Sequence, residues 1–139
     1  MRNRGYRNRL ADPDVVNDVK ARLTEAFKVL RHEGFVARQN FLCCQSCAGY
    51  ALATQVEEMP DAKRAKVKGI IYYHKQDNDG LRESGEVYLA YGPVETNVHG
   101  TVGLNCEEIG KRVVEVLREK GLEPIWDGSG DTRILVRHK

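Results

Sequence analysis

The segment from Asn105 to Leu122, "NCEEIGKRVVEVLREKGL", limits what this chain can fold into more than any other. Asn105 is a good helix N-cap, and Glu108, three residues on, completes a capping box. Ile109, Val113, Val116 and Leu117 then recur at helical spacing, and Gly121 offers a stop. A helix with so narrow an apolar stripe must lay it on another element, and the flanking segments supply strands. "EVYLAYG" alternates, placing Val87, Leu89 and Tyr91 on one face and Tyr88 and Ala90 on the other. "EPIWDGSGDTRILVRHK" reads as two strands around a turn.

Upstream the pattern repeats with less clarity. Asp12 caps a helix over 13–33, Pro13 suits its first position, and Val16, Val19, Leu23, Ala26, Phe27 and Leu30 make its buried stripe. Gly34 ends it. "FVARQNFLC" reads as a strand, Ala48, Leu52 and Val56, spaced by four, mark a second helix that Pro60 ends or restarts, and "PDAKRAKVKG" reads as an exposed turn of helix. "GIIYYHK" is a strand with Ile70, Tyr72 and His74 on one face and Ile71 and Tyr73 on the other. "KQDNDGLRESG" reads as a polar loop, and "PVETNVHGTVGL" as irregular chain. The expected fold is α+β: a mostly antiparallel sheet of four to five strands with about three helices packed on it. Residues 12–139 are expected to form one domain, preceded by an arm over 1–11.

That arm carries Arg2, Arg4, Arg7 and Arg9 and no acid, while the whole chain is only +2. The folded body is therefore slightly acidic, and a basic arm without a basic face makes a poor nucleic-acid footprint. No apolar run approaches the roughly 20 residues that span a bilayer. No apolar stretch follows the basic start as in a secretory signal. The cytoplasm is the expected compartment, where thiols stay reduced and disulfides do not explain the cysteines.

Three of the four cysteines, Cys43, Cys44 and Cys47, fall within the segment "FLCCQSC". Cys44 and Cys47 form a CxxC between an expected strand and an expected helix, where orphan N–H groups and the helix dipole stabilise a thiolate. Three chemistries compete for them. A dithiol redox site or thiol enzyme would use Cys44 as nucleophile, Cys47 as its neighbour and His74 as base. The thioredoxin-like Trp and intervening Pro are absent. A metal site would join Cys43, Cys44 and Cys47 to Cys106, His74 or His99, and zinc is the ion such ligands take. The plainest account is packing: small thiols filling a tight strand-to-helix corner. Tyr72, Tyr88, Tyr91 and Trp126 are candidates for an aromatic-lined binding face. "DNDG" at 77–80 fails as a calcium loop, because Arg82 and Tyr88 stand where Gly and Glu are required.

"NFLCCQSC", "YYHKQD", "VYLAYG", "EEIGKRVVEVLREKGL" and "WDGSGDTRILV", in that order, resemble an uncharacterised bacterial family of unknown function. The resemblance covers residues 35–137. It implies a shared fold and a shared site, and it supplies no activity. The leading expectation is a non-catalytic domain that binds a small ligand or a protein, with a homodimer left open. A thiol-dependent enzyme and a structural zinc protein are the alternatives.

Overall fold

A computed structural model describes residues 11–139. The expected basic arm over 1–11 lies, except for Ala11, outside the described residues.

Helix α1 (Pro13–His32) starts where the Asp12 carboxylate accepts the Asp14 N–H at 2.8 Å. It buries the six residues of its predicted stripe. Gly34 reverses the chain at φ +107°, and a Cβ there would lie 2.7 Å from the Lys66 carbonyl oxygen. Only glycine combines that dihedral with that approach. Strand β1 (Phe35–Arg38) follows, then helices α2 (Gln45–Glu57) and α3 (Asp61–Arg64), and strand β2 (Gly69–Tyr72). Helix α4 (Lys75–Ser84) leads to β3 (Glu86–Gly92). A small hairpin, β4 (Val94–Thr96) and β5 (Gly100–Val102), precedes α5 (Cys106–Glu119) and the closing strands β6 (Leu122–Ile125) and β7 (Ile134–His138).

The five-stranded sheet runs β1-β2-β3-β7-β6. Three of its pairings are antiparallel, but β1 and β2 are parallel, with Phe35 opposite Gly69. The fold is α+β as expected, with two corrections. The sheet is mixed, because α2 and α3 form a crossover long enough to bring β2 back parallel to β1. There are also five helices among the described residues rather than about three. Of the two beyond α1, α2 and α5, α3 is the turn of helix expected after Pro60, and α4 occupies the segment expected to be a polar loop. The segment read as irregular forms the β4–β5 hairpin, whose tip is held by Glu57 accepting the Asn97 and Val98 N–H groups.

Helices α1 and α5 cover one face of the sheet, closing a core that includes Leu23, Phe27, Ile71, Leu89, Val113, Leu117 and Ile134. Helix α2 and the hairpin cover half of the other face, where Ala48, Leu52 and Val56 meet Val36, Tyr72, Ala90 and Val94. Fully burying a side chain such as Leu52 stabilises by roughly 2 kcal/mol, which is what seats α2. Arg64 ties off that helix. It is buried and donates to the Val56, Glu57 and Met59 carbonyls and to Asp61. No helix of the described residues is long and apolar enough to cross a membrane.

Candidate functional site

Because β1 and β2 run parallel, their C-terminal ends lie side by side, and each continues toward a helix N-terminus. The connection from β1 to α2 is pinned to the neighbouring chain by two backbone bonds. Phe41 N–H donates to Tyr73 O, and Lys75 N–H donates to Leu42 O, each at 2.9 Å. Flanking Phe41, Asn40 (φ 48°) and Leu42 (φ 59°) adopt left-handed backbone. Asn tolerates that region; Leu pays roughly 1–2 kcal/mol for it. The Leu42 side chain stays 46% exposed.

This turn delivers the three sulfurs. Cys43 Sγ lies 3.7 Å from Cys44 Sγ and 3.6 Å from Cys47 Sγ, and all three atoms lie within 4.8 Å of one another. Cys43 and Cys47 are exposed and Cys44 is half-buried. The packing account of these residues therefore fails: what fills the corner is Ala48, fully buried one residue beyond Cys47.

Cys44 is also the N-cap of α2, in extended backbone (φ −157°, ψ 171°). It forms no cap hydrogen bond of ordinary geometry. The N–H groups of Cys47 and, more weakly, Ser46 still turn toward its sulfur, and with the neighbouring thiols they hold Cys44 below the usual thiol range. Cys47 is the counterpart. Its hydrogen bonds to Cys43 and then Cys44, and their charge, push its thiol up to about 11. Cys44 therefore gives up its proton before Cys47. Chemically the arrangement can hold a thiophilic ion or form a disulfide.

Residues 14–139 match the family described as a domain of unknown function, DUF6891. The chain belongs to this family. No curated protein and no solved structure matches it.

The other residues singled out in the sequence lie elsewhere in the DUF6891 fold. Cys106 opens α5, against Gly92 and the loop at Gly130, and is not part of the sulfur group. His99 sits on the hairpin, lining a surface hollow with Asp61 and Arg64. His74 follows β2 but turns inward. It is buried, caps α4 by accepting the Asp77 N–H at 3.4 Å, and has Nε2 3.2 Å from the Asp77 carboxylate. Asp77 in turn accepts from His74 N–H and Arg133. The imidazole therefore caps a helix start, and its nitrogens are not among the ligand atoms gathered within 4.8 Å of one another at the three sulfurs.

The four aromatic candidates divide between the two faces. Tyr91 and Trp126 pack edge to face at 6.1 Å beside α5, and Trp126 Nε1 donates to the Tyr91 hydroxyl at 2.7 Å. Tyr72 is buried under α2, its hydroxyl beside Gly49. Tyr88 is half-exposed beneath the Arg133 guanidinium, 5.5 Å from its ring centre. They do not form one pocket.

Sequence reasoning missed the Asp77–Arg133 pairing and the capping box at His74. The signal was the three-residue spacing from His74 to Asp77. It was hidden because His is not a usual N-cap and α4 has a single buried apolar residue, Leu81.

Proposed function

We propose that this DUF6891 domain is a non-catalytic binding domain whose ligand is a thiophilic metal ion held by Cys43, Cys44 and Cys47. The observation that carries the reading is the spacing of the sulfurs. Thiolates on a zinc ion lie ~2.3 Å from the metal, which sets tetrahedral S···S edges of about 3.8 Å. The observed 3.7 and 3.6 Å come within a few tenths of an ångström of that edge. Exposure of the sulfurs supports an ion that exchanges with solution. Zinc is the simplest ion to test. A small molecule or a protein side chain, including one from a second copy of the chain, would fill its fourth position. We take the compartment to be a reducing one, such as the bacterial cytoplasm, because free thiols this close would otherwise oxidise.

The test is zinc loading of the reduced full-length protein followed by native mass spectrometry. One zinc per chain is expected for the wild type and for Cys106→Ser, and none for Cys43→Ser or Cys47→Ser. Serine variants that keep zinc, or a wild type that takes up neither zinc nor any other thiophilic ion, would defeat the reading.

A second reading has its own support in the opposite shifts of Cys44 and Cys47. As a dithiol, the Cys44 thiolate would attack a partner disulfide and release one partner thiolate. Cys47 would then close onto Cys44, expelling the second partner sulfur, so the partner gains the two electrons that the pair loses. Rapid alkylation of Cys44 at neutral pH, with turnover of a disulfide substrate lost in Cys44→Ser, would favour it.

A further inference from the structure

Among the described residues, the cluster at the start of α2 provides three sulfurs and no fourth His, Cys, Asp or Glu ligand. No other His, Cys, Asp or Glu of the described residues brings a ligand atom within 4.8 Å of all three. Residues 1–10, "MRNRGYRNRL", contain none of these residue types. That count bears on which ion the site prefers. Structural zinc is four-coordinate, so zinc here depends on water or an outside donor. Monovalent copper is a closed-shell ion that three thiolates satisfy, and soft thiolate ligands are the class that selects it. A planar three-thiolate site with bonds of ~2.3 Å has sulfurs about 4.0 Å apart. The Cys43 pairs, at 3.7 and 3.6 Å, reach that with movements of a few tenths of an ångström.

We propose, resting on the reading of the trio as a thiolate metal site, that Cys43, Cys44 and Cys47 together select Cu(I) over zinc and bind it three-coordinate. The open side of the site sets how the ion leaves. An incoming thiolate adds to copper as one cysteine sulfur departs and takes a proton from solvent. Copper changes hands without changing oxidation state. The chemical class of partner is therefore another thiolate carrier.

The experiment uses the full-length protein, reduced and kept free of oxygen. It is loaded with one equivalent of zinc and then given one equivalent of Cu(I) held by bicinchoninate. The expected result is stoichiometric zinc release, transfer of copper from the chelator, and X-ray absorption showing three sulfurs at about 2.3 Å. Cys43→Ser, Cys44→Ser and Cys47→Ser should each weaken copper by more than about a hundredfold, since even outer-shell changes cost 10–100-fold. Cys106→Ser should change nothing. Helical circular dichroism checks that the variants fold. Zinc that stays bound while copper remains on the chelator overturns the selectivity and leaves the metal site standing. Failure to bind either ion removes the metal reading itself. Unweakened copper binding in Cys43→Ser would overturn three-coordination alone.

Discussion

Arg133 Nη2 reaches the Asp77 carboxylate at 2.6 Å across 56 residues of sequence. Through this contact the loop before β7 holds the first turn of α4, because Asp77 also receives the His74 N–H and lies beside its imidazole. The Asp77 side chain is 10% exposed and that of Arg133 33%. Asp77→Ala removes the carboxylate that the guanidinium and the His74 N–H share, leaving Arg133 Nη2 only the Tyr88 carbonyl, and buried donors left unmade cost about 1–3 kcal/mol. Partial exposure of Arg133 puts the expected loss near the middle of that range. Urea unfolding of Asp77→Ala should show a lower midpoint at unchanged slope. A shift below about 0.5 kcal/mol would mean the contact is a surface pair of no consequence.

Gly110 and Trp126 make a second prediction. A Cβ on Gly110 would come within 2.4 Å of the Trp126 ring, which Tyr91 and the Ser129 carbonyl hold by its Nε1. In an open helix Gly→Ala would gain about 1 kcal/mol. Here the ring must move, and overpacking of this kind costs about 1–3 kcal/mol. Gly110→Ala should therefore lower stability despite its better helix propensity. Trp126 is the only tryptophan in the chain, so a red shift of its emission reports the displacement directly. An unshifted spectrum with raised stability would refute the packing argument.

These residues mark where the sequence was legible. Helix α5 could be read because Asn105, Glu108 and the Ile109–Leu117 stripe all point the same way, and both capping-box bonds form. The alternation in β3 held for the same reason: both of its faces meet packed layers. Helix α4 was opaque because capping and tertiary docking, rather than periodicity, make it helical. The parallel β1–β2 pair was hidden too, since local pattern cannot say which strand a crossover returns to. For the site, the spacing of Cys43, Cys44 and Cys47 was visible. Their exposure was not, because it depends on left-handed backbone at a leucine. The separation of Cys106 and His74 from them is tertiary information.

Acid titration should expose the Glu33–Arg112 pair. Arg112 donates to both Glu33 carboxylate oxygens, which holds the Glu33 carboxyl below its usual range against a smaller opposing effect of burial. The native state therefore binds that proton less readily than the unfolded chain. The pair's contribution is full above the usual carboxylate range and is lost as pH falls through the depressed native value. With both side chains partly exposed, at 34% and 24%, it is worth about 0.5–1 kcal/mol. The stability gap between wild type and Glu33→Gln should be constant near neutrality and close on acidification. A gap that widens toward low pH would reverse the assigned sign.

Leu42 sets strain against function. Its left-handed backbone costs roughly 1–2 kcal/mol, and its side chain, 46% exposed, returns only part of that through contacts. Leu42→Gly removes the steric cost but gives the unfolded chain more freedom, an offset of about 0.4–1 kcal/mol. The expected net effect is a small gain in stability, below about 1 kcal/mol. The same change frees the turn that aligns Cys43 with Cys44 and Cys47, so metal affinity should fall even as the fold tightens. Leu42→Val separates the two effects. A β-branched residue fits the left-handed region worse than leucine, so it should lower stability, with the turn either held for the metal or lost along with it. Denaturant midpoints and chelator competition on the same samples check both. If Leu42→Gly lowered stability and left affinity unchanged, the leucine would be anchoring the loop by contact, and its backbone would have no part in presenting the sulfurs.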